Sequence, residues 1–445
     1  IDPGVAVKLT NGQSIEVDGT LDAQGTMAEP IIITSQRDDT ALGDTFHDGA
    51  NLPQPGDWQQ IRFDSSSVES NLNYVDIRYA GNYYYPGHGS GFRSSLIINQ
   101  SSPVIRNTRV RYADSYGVEI SGGTAELEQV TVEQSRYSAF WMDLAAAPIL
   151  AGLKAIHTGG DRLEINGGSL PGDRVWDAGG LPMEVLGDIT IPGGKTLTIT
   201  PGQVLKLSNG EQFNVNGTLW AVGSPEKPIV FTSWRDDTVG GDTNHNGGAD
   251  GPSEGDWEAF YFNAGSDASV LENVELRYGG NYYQSHHGSG YRSTLYLTDT
   301  HATMRDVDVL HADTTAVRIE NGAPILDHVH AEGARGWAFY ANLSADPVLT
   351  ELSSVNNWYD GFLLDSGTLT SDRTWNVTTM PYAITGTELV VAEGVTLTIE
   401  AGAALKLWNS QYVQINGTLD VNGTAANPVV FTSQRDDTVM GDTFH

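Results

Sequence analysis

Gly217-Thr218-Leu219-Trp220-Ala221-Val222-Gly223, continued by Pro228-Ile229-Val230-Phe231-Thr232-Ser233, decides how the chain is read. Two short apolar runs rich in β-branched residues are bounded by Gly, Pro and polar turn formers, the pattern of short strands joined by turns. The phrase stands at two other places. Gly19-Thr20-Leu21 with Pro30, and Gly417-Thr418-Leu419 with Pro428, lead into TSQRDDT at residues 34–40 and 432–438. The middle copy leads into TSWRDDT at residues 232–238. A Lys-Leu pair precedes each copy, at Lys8-Leu9, Lys206-Leu207 and Lys406-Leu407. Asn82-Tyr83-Tyr84 leading to His88-Gly89-Ser90-Gly91-Phe92-Arg93 returns at the same spacing as Asn281-Tyr282-Tyr283 leading to His287-Gly288-Ser289-Gly290-Tyr291-Arg292. The chain is a tandem repeat with a period of about 200 residues.

The ends fall inside the period. Ile1-Asp2-Pro3-Gly4 aligns with Ile199-Thr200-Pro201-Gly202, and Gly441-Asp442-Thr443-Phe444-His445 aligns with residues 43–47. The chain therefore reads as unit 1 (1–198), unit 2 (199–398) and the start of unit 3 (399–445), a window of a longer array.

Within a unit, Asn73-Tyr74-Val75-Asp76-Ile77, Pro103-Val104-Ile105-Arg106-Asn107 and Leu127-Glu128-Gln129-Val130-Thr131-Val132 alternate apolar with polar. Such phrases recur roughly every 20–30 residues, the spacing of successive coils in a solenoid. A row of β-sandwiches would favour units nearer about 100 residues with less local self-similarity. The GTL-x-A-x-G and P-I-V-F-T-S phrases resemble those of right-handed parallel β-helix repeat proteins of bacterial surfaces. That resemblance covers nearly the full length. It implies an all-β, right-handed parallel β-helix, or β-solenoid, from which acidic and aromatic loops are extruded.

The formal charge is −32, with 56 acidic against 24 basic residues. A surface that negative repels phosphates and anionic lipid, so nucleic acid is excluded as a partner. With no cysteine, neither disulfides nor thiolate metal sites contribute. No stretch has the length and apolarity of a transmembrane helix. The expected location is secreted or cell-surface.

Acidic Gly-rich loops follow each RDDT. The fullest holds Asp236, Asp237, Asp242, Asn244, Asn246, Asp250 and Asp256. Oxygens at alternate residues before Gly247 are spaced to converge on calcium, which takes six to eight oxygen ligands. The matching residues are Asp38, Asp39, Asp44, Asp48 and Asp57 in unit 1, and Asp436, Asp437 and Asp442 in unit 3. Phe46 stands where unit 2 has Asn244, which weakens the first copy. The alternative is that these side chains form Asx-turns. Arg37, Arg235 and Arg435 are placed to pair with neighbouring Asp residues.

The aromatic–histidine loops carry the other candidate site. Tyr83, Tyr84, His88 and Arg93, with Tyr282, Tyr283, His287 and Arg292, could make a sugar-binding face of rings and hydrogen-bond donors. Trp58 and Trp257 either join that face or anchor the acidic loop. The alternative is that the rings cover a coil.

Parallel β-helices also host polysaccharide lyases and hydrolases. Candidates for such chemistry are Asp236, Asp237, Asp242, His287 and Arg292, but no catalytic residue is assigned, because the same loops return in each unit. Repetition serves avidity, spacing or rigidity. The expected function is structural or adhesive: a stalk, filament or adhesin segment whose loops calcium stabilises. Neighbouring repeat units, identical chains, or a glycan or cell-surface ligand would be its partners. The alternative is a carbohydrate-active β-helix enzyme.

Overall fold

A computed structural model describes the chain except residues 48, 50, 83–93, 209, 282–292 and 444–445. It divides into two compact units. One holds Ile1–Leu186, Gln203–Lys206 and Trp234–Gly251, and the other Gly187–Gly202, Leu207–Ser233 and Pro252–His445. The described residues form strands and turns without an α-helix. No helix is therefore long and apolar enough to cross a membrane, which says nothing of spanning by strands.

In the first unit each coil contributes short strands to three parallel sheets. One sheet stacks Ala6–Leu9, Ile31–Ser35, Val75–Arg78, Arg109–Arg111, Thr131–Glu133 and Lys154–Ile156. A second stacks Asp22–Gln24, Asn71–Asn73, Val104–Arg106, Glu126–Glu128 and Ile149–Ala151. The third stacks Ile15–Val17, Ile61–Phe63, Leu96–Asn99, Val118–Ser121, Ser138–Met142 and Gly160–Ser169. Because strand side chains alternate faces, every second residue points inward and meets its counterpart one coil away. Ile33, Ile77, Val110 and Val132 form one such ladder, Leu72, Ile105 and Leu127 another, and Phe63, Ile98 and Ile120 a third. All are fully buried. Each contributes about 1.5–3 kcal/mol by leaving water. The architecture is a parallel β-solenoid.

Sharp corners make the triangle close. Tyr74, Asn107 and Gln129 sit at successive coils with φ of 49°, 47° and 53°. The left-handed region costs a non-glycine residue about 1–2 kcal/mol. Stacking offsets it, since Asn107 Nδ2 donates to Asn73 Oδ1 at 2.9 Å. Gly123 is obligatory for another reason: φ is +78°, and a Cβ there would lie 2.0 Å from the Ser101 carbonyl oxygen.

The second unit follows the same plan with larger side chains. Its inner ladder runs Phe213, Phe260, Leu295, Val317, Phe339, Phe362 and Tyr382 through successive parallel strands. Phe213 and Phe260 stack at 4.6 Å. A bulge falls at Ser138/Phe140 in one unit and at the matching Trp337/Phe339 in the other. Bulges bend a strand and re-aim side chains.

Candidate functional site

The outward face of the third sheet is where the repeats part company. In the first, the outward row is Glu16, Arg62, Ile97, Glu119, Trp141 and Glu164. The corresponding row in the second repeat is Asn214, Tyr261, Tyr296, Arg318, Tyr340 and Leu363. The inner ladders stay apolar in both, while the outer rows share almost no residue.

The first repeat builds an ionic cluster here. Arg162 Nη2 lies 2.8 Å from Glu164, and its Nε pairs with Glu184. Tyr116 donates its hydroxyl to Glu164 at 2.9 Å, and Ser138 donates to the other oxygen. Both glutamates are almost fully buried. Burial pushes the Glu184 carboxyl above the usual carboxylate range despite Arg162. Arg162 Nη1 also donates to the carbonyl of Thr243 in the acidic loop. Beside it the fully buried Lys206 donates to the Gly241 carbonyl at 2.6 Å. Burial lowers that lysine, with Asp237 and Asp236 acting against the shift.

Farther along the same row, Arg62 Nη2 lies 2.9 Å from Asp64. The Arg62 and Asn99 hydrogen bonds hold Asp64 below its ordinary value. Burial raises Glu119, whose Oε2 accepts from Ser94 at 2.9 Å. One carboxyl is thus biased toward its ionised form and another toward its protonated form, with Arg62 acting on both. The second repeat has Asn263 for Asp64 and Arg318 for Glu119.

In place of the ionic cluster, an aromatic cleft stands where the second repeat runs into the third. Gly361, Leu363 and Ala383 stand where the first has Arg162, Glu164 and Glu184. Leu363, Ala383 and Tyr340 pack together, with Trp337 against them. Trp337, positioned at the bulge, stacks on Tyr359 with ring centroids 4.8 Å apart. These rings, Trp408 and Gln434 line a cleft of about 570 Å³ floored by Leu363 and Ile384. Gln411 fixes its edge: Nε2 donates to the Ile384 and Gly386 carbonyls at 2.9 and 2.7 Å, and Oε1 accepts from the Trp408 amide at 2.7 Å. Half the surface of Trp408 is open to solvent.

Residues 367–443 match the family described as a pectate-lyase-like beta helix domain. With the stacked coils, that match decides the fold. The chain is a parallel β-helix repeat protein. No curated protein matches it.

In this β-helix the acidic-loop residues serve first as turn formers. Asp38 is fully buried and accepts from the hydroxyl of Thr34 at 2.8 Å, from Thr40 and from Arg78. Burial alone would raise it, but the Thr40, Thr34 and Arg78 hydrogen bonds together hold it below its usual value. Asp236 and Asp436 repeat the bonds to Thr238 and Thr438. Asp57 and Asp256 close the far end of the loop, accepting from Ser35 at 2.7 Å and Ser233 at 2.6 Å. Arg37 pairs with Asp57 at 3.1 Å. Asp242 accepts the amides of Asn246 and Gly247, while Asn244 and Asn246 cap Asn246 and Gly248. Asp44, Asp250, Asp437 and Asp442 are exposed.

Among the described residues no three His, Asp or Glu side chains group as a metal site. One observation fits a cation: Asp39 Oδ1 and Asp237 Oδ1, at matching positions, are buried and accept no hydrogen bond among the described residues.

Trp58 and Trp257 are anchors and no part of a ligand face. Both are fully buried, and their indole N–H groups donate to the carbonyls of Arg78 and Arg277 at 2.8 and 2.7 Å. Asp48, Tyr83, Tyr84, His88, Arg93, Tyr282, Tyr283, His287 and Arg292 lie outside the described residues. Reading from the loops missed Trp337, Tyr359 and Trp408. Their signal is difference between copies, since Ser138 and Gly160 of the first repeat and Ser208 of the second hold the matching places one period earlier.

Proposed function

We propose that this β-helix binds polysaccharide, and that the cleft walled by Trp337, Tyr359 and Trp408 is the contact surface. The observation that carries the reading is the cleft itself: aromatic rings pack on the apolar faces of sugars, and concave apolar surfaces with a few fixed polar groups are where ligands bind. The match to a pectate-lyase-like family supports a carbohydrate ligand. In this reading the chain serves at the cell surface or in secreted form, as a stalk or adhesin segment. Affinity electrophoresis through gels holding soluble polysaccharides tests it. The full chain is expected to be retarded by at least one polymer, and Trp408→Ala to run freely in that gel. Equal retardation of both proteins removes the cleft from the reading.

A carbohydrate-active enzyme is the second reading, favoured by the Asp64–Arg62–Glu119 arrangement. One carboxyl shifted up by burial and another shifted down by hydrogen bonds, with one arginine acting on both, is the kind of division that glycoside cleavage uses. Repetition of the loops does not count against it, because this arrangement belongs to the first repeat alone. Reducing-end release from a polysaccharide panel, lost in Glu119→Gln, would support it. Equal release by both proteins would remove Glu119 from it.

Calcium at the acidic loops is a separate proposal, supported by the recurring buried oxygens Asp39 Oδ1 and Asp237 Oδ1. Chelation is expected to lower the melting temperature, and Asp237→Asn to lessen that drop. An unchanged melting curve with chelator defeats the proposal.

A further inference from the structure

We infer that the cleft selects an uncharged polysaccharide and refuses a polyuronate, the polymer that the name of the matching family brings to mind. The inference rests on the cleft being the binding surface proposed above. Its walls and floor are indole, phenol, aliphatic and amide groups, with no carboxylate and no cation among the lining side chains. A uronate would bring one carboxylate per sugar into that lining. Each would lose water without gaining a charged partner, which is the costly way to bury an ion.

Two cations close to Trp408 in the chain or over its ring do not alter this. Lys406 is fully buried, and its ammonium is committed to the Gly441 carbonyl and the Thr443 hydroxyl, both at 2.8 Å. Arg435 lies with its guanidinium 5.6 Å over the Trp408 ring and is itself exposed, so water screens its charge. Around the cleft the whole chain carries a formal charge of −32, which opposes the approach of any polyanion. A neutral sugar meets none of these penalties. Its C–H faces match the Trp and Tyr rings, and its hydroxyls can bond to amide groups at the edge, which Gln411 holds in place.

These walls come from the end of the second repeat and the start of the third, and one binding site per chain is expected from the described residues. Ser138, Gly160 and Ser208 offer no rings at the matching places, and the buried Arg162–Glu164–Glu184 cluster replaces the apolar floor.

Affinity electrophoresis of the full chain separates the outcomes. The probes are a neutral set (hydroxyethyl cellulose, mixed-linkage β-glucan and galactomannan) and polygalacturonate, each at low and high salt. Retardation by at least one neutral polymer is expected, insensitive to salt and weakened about tenfold or more in Kd by Trp408→Ala and by Tyr359→Ala. No retardation by polygalacturonate is expected at either salt concentration. Trp408-dependent retardation by polygalacturonate would overturn the inference and leave the cleft standing as a binding surface. Retardation by neutral polymers that both variants retain in full would overturn both, as would no retardation by any polymer. Because Trp408 is half exposed, its loss leaves the coil packing intact, and matched circular dichroism of the variant confirms it.

Discussion

At one place in the coil the first repeat buries two glutamates on an arginine, and the second packs a leucine and an alanine beside a glycine. The backbone accepts both, because the residues that fix it point inward, where the two repeats agree. Outward positions are left to vary, and the two choices have opposite liabilities. An ionic cluster is stable only when complete, since a partner removed leaves a buried charge. An apolar cluster needs no partner and leaves room for rings to line a cleft.

The largest effect should come from breaking the ionic cluster. Arg162→Ala leaves Glu164 and Glu184 without their guanidinium and is expected to cost about 3–5 kcal/mol in urea unfolding. A loss under about 1 kcal/mol would mean that the loop and Tyr116 hold the glutamates unaided.

Importing the second repeat's solution should do the reverse. The triple replacement Arg162→Gly, Glu164→Leu and Glu184→Ala is expected to be neutral or to stabilise by about 1–4 kcal/mol. A lower denaturation midpoint would show that the two repeats are not interchangeable here.

A smaller effect lies in pH. Glu184 is raised in the folded chain, chiefly by burial. Its stabilising contribution is complete below the unfolded carboxyl value of about 4 and is lost as pH rises through the folded value. The stability of the native protein relative to Glu184→Gln should therefore fall with rising pH. A rise would mean that the Arg162 pairing outweighs burial. The second repeat has Ala383 there and should show no such term.

The smallest effect on stability belongs to Trp408→Ala, within about 0.5 kcal/mol, because the ring is half exposed. Thermal melts of the variant check it. Only polysaccharide retardation should change.

The ladders were legible because Val75 and Ile77, Ile105, and Leu127 with Val130 and Val132 return in alternating phrases at the spacing of successive coils. The turns were legible in part. The TS-x-RDDT phrase announced a loop, yet nothing in it said that Thr34 and Thr40 would converge on Asp38. The cleft was not legible from recurrence at all. Recurrence points to what every copy needs, which is the coil and its closures, while Trp337 and Trp408 stand exactly where the copies disagree. Their rings meet only through the register of successive coils, and the separation of Trp337 from Trp408 in sequence hides it.

The lysine closures have a consequence for how such an array can grow. Lys8, Lys206 and Lys406 each reach a glycine carbonyl 35 residues onward, at Gly43, Gly241 and Gly441. Clamp and clasp thus travel in one segment. A copy excised or duplicated in register keeps a lysine 35 residues ahead of a glycine carbonyl wherever its joint falls, because every copy supplies both halves. A joint out of register inside that segment instead strands the ammonium and leaves the loop untethered, so recombination between copies, natural or engineered, should survive there only when it preserves the spacing.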